Sequence, residues 1–210
     1  MNHKLLIIIS LFIPCLILTD CKTKNEAKKE MSVQPSPVTT TSPATVKTNN
    51  AAQDISIHDA ALNGQPAEVL QSLERGVNVD ARDEDGRTAL MYAAFNGHKD
   101  IMEQLIKKGA AVNLTDSLGR TALMFASSGP YPDAVKLLLT NQADPNITDR
   151  EEHFTALMYA AAEGQTEIVR MLITYKADPK LKDIDGDNAL TFAQNNGHKE
   201  LVKILEPFMK

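Results

Sequence analysis

The chain has 210 residues, with 27 Asp and Glu against 22 Lys and Arg, a formal net charge of −5, 5% aromatic residues and no Trp. The charge is uneven: residues 54–210 hold 24 of the acids and 16 of the Lys and Arg, a formal −8, which argues against nucleic-acid binding because that needs a basic stripe. Both cysteines, Cys15 and Cys21, lie within the first 21 residues, so disulfides are excluded from everything after them.

Residues 1–4 are a short basic start and residues 5–18 a nearly unbroken apolar run, interrupted by Ser10 and Pro14. The run is shorter than the roughly 20 apolar residues of a membrane span. It matches the apolar core of a secretory signal peptide. The stretch Leu18-Thr19-Asp20-Cys21 resembles the bacterial lipoprotein signal, in which the Cys is lipidated and becomes the new N-terminus. Asp20 stands where that signal usually has a small uncharged residue, and Cys15, preceded by Pro14, fits it less well. The resemblance implies a signal peptide over 1–21 and lipidation at Cys21; a soluble secreted protein and an uncleaved anchor are the other two readings.

Residues 22–53 read as a disordered tether. A charged start, Lys22 to Glu30, runs into a Ser/Thr/Pro-rich stretch without aromatic residues. Such a segment cannot bury enough apolar surface to offset its ordering entropy. Its 32 residues would span roughly 110 Å fully extended and roughly 30 Å as a flexible coil.

From residue 54 the chain repeats itself. Thr88-Ala89-Leu90-Met91-Tyr92-Ala93 returns as Thr121-Ala122-Leu123-Met124-Phe125-Ala126, as Thr155-Ala156-Leu157-Met158-Tyr159-Ala160, and more loosely as Asn188-Ala189-Leu190-Thr191-Phe192-Ala193. The intervals are 33, 34 and 33 residues, a period that predicts a solenoid. In the most regular unit, 83–115, Asp83-Glu84-Asp85-Gly86 is a turn and Thr88 an N-cap. Ala89, Leu90, Ala93 and Ala94 form a small-residue helix face, and Gly97 ends that helix. A second helix opens at Asp100, with Ile101, Met102, Leu105 and Ile106 on one stripe. Two such helices cannot bury both faces alone, so stacked copies must form the core.

The five units fall at 54–82, 83–115, 116–148, 149–182 and 183–210. The first has Ile55 in place of the capping Thr. The third replaces the usual helix end by Ser127-Ser128-Gly129-Pro130-Tyr131-Pro132-Asp133, and the fourth has one extra residue in Arg150-Glu151-Glu152-His153-Phe154. The fifth ends at Pro207, with Lys199, Glu200, Lys203 and Glu206 forming a polar outer side.

This pattern resembles the ankyrin repeat, with Ala89, Ala122, Ala156 and Ala189 where that family prefers Pro, and Met91, Met124, Met158 and Thr191 at its usual His. The resemblance implies an all-α solenoid of about five repeats, each a helix pair plus a finger loop, acting as a monomeric binding module and not an enzyme. It implies that a protein partner is gripped by fingertips and first helices. By position these are Glu84, Asp85 and Arg87; Phe95 and Asn96; Ser117, Leu118 and Arg120; Glu151, Glu152 and His153; and Ile184 and Asp187. Tyr92, Phe125, Tyr159 and Phe192 recur at one position and read as packing. The family's His implies hydrogen bonds within the unit for His98 and His198.

No other chemistry emerges. The acids of residues 83–86 and 183–187 fail calcium-loop spacing and recur at the repeat period, as turn residues do. No His lies at metal-ligand spacing, no Cys nucleophile is available after residue 21, and no Ser lies in a nucleophile elbow. No metal, cofactor or nucleic acid is expected. The resulting expectation is a lipid-anchored envelope protein, in the periplasm or at the surface, that binds a protein, with a basic surface favoured by charge. An accessory factor and an immunity-type factor both fit. A structural or stress-related envelope protein is the alternative, and a hydrolase the last.

Overall fold

The computed structural model describes residues 55–210; the expected signal peptide, Cys21 and the tether 22–53 lie outside the described residues. Five helix pairs follow one another: α1 (Ile57–Leu62) and α2 (Pro66–Glu74), α3 (Ala89–Phe95) and α4 (Lys99–Lys107), α5 (Ala122–Ser128) and α6 (Pro132–Thr140), α7 (Ala156–Ala162) and α8 (Thr166–Thr174), α9 (Ala189–Asn195) and α10 (Lys199–Leu205). A 3-10 turn, Glu206–Met209, follows α10 and contains Pro207. Among the described residues there is no strand, only an isolated bridge between Thr115 and Thr121. The all-α solenoid read from the period is the fold.

The odd-numbered helices stack on one another in one layer and the even-numbered in a second. Ala60, Ala61, Ala93, Ala94, Ala126, Ala160, Ala161 and Ala193 are fully buried in the first layer, where only small side chains let helices approach so closely. Val69, Ile101, Leu105, Val135, Leu138, Val169, Leu172, Leu201 and Leu205 form the apolar stripe of the second.

The recurring Thr-Ala-Leu-Met does a specific job at each inner helix start. Thr121 Oγ1 accepts the Met124 N–H, and Thr155 Oγ1 the Met158 N–H, both at 3.3 Å. The backbone N–H of Thr88, Thr121 and Thr155 in turn points at the Sδ of Met91, Met124 and Met158, each at 3.5 Å. The methionines are therefore buried capping partners as well as core residues, with a weak thioether acceptor closing the capping box. Asn188 and Thr191 make the same exchange in the last unit, at 3.1 and 3.5 Å. In the first unit the cap is Ser56, whose Oγ accepts the Asp59 N–H at 3.0 Å, so Ile55 in the Thr slot is bypassed by one residue.

The outer helices end in a left-handed residue, Gly76 at φ 88° and Gly109 at φ 92° in the first two units, but Gln142 at φ 67° and Lys176 at φ 72° in the next two. Below them a side-chain ladder ties unit to unit. Asp80 Oδ1 accepts the Ala111 N–H at 3.0 Å, Asn113 Oδ1 the Asp144 N–H at 2.8 Å and Asn146 Oδ1 the Asp178 N–H at 2.7 Å.

Candidate finger-row interface

Each finger is wound around one aspartate. Asp83 Oδ1 accepts the N–H of Asp85 and Arg87 at 3.0 and 2.8 Å, and the Asp83 N–H returns to Arg87 O at 3.0 Å. Asp116 repeats this with Leu118 and Arg120, and Asp183 with Asp185 and Asp187. These carboxylates serve their own turn amides, which is why acids recur here at the repeat period. Among the described residues no group of three or more His, Cys, Asp or Glu could hold a metal ion.

Backbone bonds join the fingers into a row. Ser117 N–H donates to Asp85 O at 2.9 Å, Arg150 N–H to Leu118 O at 2.8 Å and Ile184 N–H to Glu152 O at 3.1 Å. Two arginines absent from the expected set brace it: Arg82 Nη1 donates to Gly86 O and Thr115 O at 2.9 and 2.7 Å, and Arg150 Nη1 to Ser117 O at 3.0 Å. The fourth finger carries its extra residue by turning His153 left-handed, at φ 59°, while Asp149 pairs with Glu152 N–H at 2.9 Å and its own N–H reaches Phe154 O at 3.0 Å.

The row presents Glu84, Asp85, Ser117, Glu151, His153, Ile184 and Asp185 exposed, with Leu118, Glu152 and Asp187 half-buried. Ile184 is the most exposed large apolar side chain among the described residues, at 56%. Asp185 was not among the expected contacts; its position beside Ile184 at the tip of the last finger was readable from the turn pattern.

Two expected contacts, Arg120 and Asn96, are turned inward, and Phe95 stands half-buried at its helix end. Arg120 is 3% exposed, so it is not a surface finger residue. Its Nη2 and Nε lie 2.8 and 2.9 Å from Asp116 Oδ2, and its guanidinium lies over the Phe125 ring at 5.0 Å. Asn96 is turned inward, its Nδ2 donating to Leu62 O of the preceding unit at 2.7 Å. Phe95 is half-buried, edge-on to Phe125 at 6.2 Å. Arg87 keeps a side-chain exposure of 20%, bonded to Asp85 at 3.2 Å and lying over Tyr92 at 5.9 Å.

The recurring aromatics pack as expected, and the tyrosines do more. Tyr92 OH donates to Asp83 Oδ2 at 2.6 Å, and Tyr159 OH to Asp149 Oδ2 at 3.1 Å. Burial, then the neighbouring Asp149 charge, pushes the Tyr159 hydroxyl well above its ordinary value, so it stays a donor. Burial raises the Asp83 carboxyl, but the Tyr92 hydroxyl and the Arg87 N–H outweigh that and leave it below the ordinary carboxylate value.

His98 and His198 bond across units and not within them. His98 Nε2 lies 3.1 Å from Leu62 O and His198 Nε2 3.0 Å from Ala162 O, each reaching the preceding inner helix. In the third unit Tyr131 takes this place, and its ring packs so closely on Gly97 that a Cβ there would stand 2.3 Å from it.

A shallow concavity between the outer helices of the last two units is lined by Ile173, Ile204, Phe208, Arg170, Glu200 and Lys203. Beside it α10 is seven residues long where α8 has nine, and the chain continues in the 3-10 turn that contains Pro207. No helix among the described residues is long and apolar enough to cross a membrane.

A family model described as ankyrin repeats (3 copies) matches residues 57–149 and, in an overlapping second match, residues 127–207. No curated protein matches the chain.

Proposed function

The chain belongs to the ankyrin-repeat family, and from that premise we propose that it is an exported, lipid-anchored module that binds a protein partner in the bacterial envelope through its finger row. Ankyrin repeats generally mediate protein–protein interaction, and proteins built from them are typically non-enzymatic. The observation that carries the reading is the exposed edge itself. Ile184 stands 56% exposed on a hydrogen-bonded row, its N–H bonded to Glu152 O of the neighbouring finger, which also carries Glu151, and with Asp185 next to it in its own finger. An apolar anchor with acids in its own finger and in the next suits a partner that offers an apolar cleft bordered by Lys and Arg.

Export and anchoring rest on the basic start, apolar core and Cys21 of residues 1–21. The partner is then an envelope enzyme that the module assists or a toxin that it neutralises. Two experiments test this. A photo-reactive group at Ile184 or Leu118 should give one discrete adduct in the native cell, and the same group at Lys136 on α6 none. A smear from all three positions would instead favour a structural envelope role without a dedicated partner. Fatty-acid labelling should disappear in Cys21→Ser; labelling that persists, or is absent from the parent, rules out the anchor.

A further inference from the structure

Three Asn-Gly pairs stand at the ends of inner helices: Asn63-Gly64, Asn96-Gly97 and Asn196-Gly197. This dipeptide is chemically fragile. The glycine nitrogen attacks the asparagine Cγ, ammonia leaves with the displaced proton, and a succinimide closes. Water then opens the ring at either carbonyl, leaving aspartate or isoaspartate. Glycine favours the attack because it has no side chain to hinder the approach.

The three pairs share one backbone conformation. Asn63 has φ −88° and ψ 4°, Asn96 φ −100° and ψ 3°, and Asn196 φ −95° and ψ 2°. Backbone geometry therefore does not distinguish them, but the side chains do. Asn96 Nδ2 is tied to Leu62 O at 2.7 Å and Asn196 Nδ2 to Ala162 O at 3.0 Å, and both residues are half-buried. Gly97 N–H and Gly197 N–H are also engaged, with Ala94 O and Gln194 O at 3.2 and 3.1 Å. Asn63 is exposed, and among the described residues neither its amide nor the Gly64 N–H has such a partner. For the side-chain amide the reason is topological: the equivalent bond of Asn96 and Asn196 runs back to the inner helix of the preceding unit, and Asn63 lies in the first unit of the described residues.

We propose that Asn63 is a site of spontaneous deamidation, distinguished from its two repeat equivalents by an amide that the solenoid leaves untethered. Its place in the first of the described units adds to this, because outer units of a linear stack open more readily than inner ones.

Conversion changes the junction beside it. A new carboxylate at the C-terminal end of α1 opposes the helix dipole. Isoaspartate also adds a methylene to the main chain between Leu62 and Gly64. The Leu62 carbonyl holds both Asn96 Nδ2 and His98 Nε2, and a Cβ on Gly64 would stand 2.7 Å from the His98 ring. The modification thus loosens the first unit from the second, and the protein carries a built-in ageing mark at its first unit.

The test is incubation of the intact chain in mildly alkaline buffer, with peptide mass spectrometry reading the amide-to-acid shift at all three positions over time. Asn63 should convert roughly fivefold or more faster than Asn96 or Asn196, the ratio set by the net worth of one hydrogen bond. In denaturing urea the three rates should converge. Equal native rates at all three, or an Asn63 that keeps its amide while another converts, would overturn the proposal. Asn63→Asp, made directly, should speed hydrogen exchange in α1 and α2 while leaving α7 to α10 unchanged; unaltered exchange in α1 would refute the loosened junction.

Discussion

The third and fourth fingers face the same problem and solve it with different chemistry. Each buries its turn aspartate, Asp116 at 2% exposure and Asp149 at 5%. In the third unit the compensating charge comes from the finger: Arg120 bonds Asp116 and lies over Phe125. In the fourth, Phe154 occupies the arginine position and Tyr159 the phenylalanine position, and the helix supplies a hydroxyl to Asp149. Phe154 then packs edge-on to Tyr159 at 5.7 Å and to Phe192 at 5.2 Å. A buried finger carboxylate thus needs one strong donor, and either the finger or the helix can provide it.

Arg120→Ala should show the largest effect. It leaves Asp116 buried with Arg87 3.9 Å away, and removing one partner of a buried pair costs about 3–5 kcal/mol. Urea unfolding should register this as a loss at the centre of the stack; a cost comparable to that of a surface substitution would mean that the pair is not buried in solution. Phe154→Ala should follow at about 3 kcal/mol, as a cavity at the junction with Phe192. The sharper experiment transplants one solution into the other. Arg120→Phe alone should be strongly destabilising, and adding Phe125→Tyr should recover about 1.5 kcal/mol or more, the worth of a hydrogen bond to a charged acceptor. No recovery would show that the two arrangements are not interchangeable.

A smaller effect, of opposite sign, is expected where the third and fourth units lack the glycine of the first two. Gln142→Gly and Lys176→Gly relieve left-handed strain and should each raise stability by about 0.5 kcal/mol after the entropy cost of glycine is subtracted. A loss of stability at both positions would count against the strain.

The smallest effect concerns pH. Asp83 lies below its ordinary value because the Tyr92 hydroxyl and the Arg87 N–H overcome the effect of burial. Stability from a lowered carboxyl is present above its unfolded value, near about 3.9, and is lost as pH falls through the folded one. Tyr92→Phe should therefore lower the urea midpoint at neutral pH, with a gap to the parent that narrows in acid. A gap that stays constant into strong acid would detach Tyr92 from Asp83.

Much of this architecture was legible without coordinates. The 33-, 34- and 33-residue intervals set the number of units, and the Thr, Asn and Gly positions set where helices begin and end. Tyr and Phe alternating at one position looked like interchangeable packing. Their difference lies in the hydroxyls of Tyr92 and Tyr159, which donate to aspartates nine and ten residues earlier. The repeat period places residues in the finger loops, but position in a loop does not say which way a side chain turns. Arg120 reads like Arg87 in sequence, yet it is buried where Arg87 is partly exposed.

What the sequence by itself determined is whatever acts within a few residues: the caps, the aspartate turns, the apolar stripes, and from their period the solenoid. What only the tertiary structure decided is whatever acts one repeat away. Asn96 and His98 meet Leu62 across 34 and 36 residues, Arg82 meets Thr115 across 33, and the exposure of Ile184 depends on the finger beside it. The physical reason is that a stacked unit takes its hydrogen-bond partners from its neighbours. A pattern read within one unit gives the donors and acceptors, and stacking decides which of them remain for a partner.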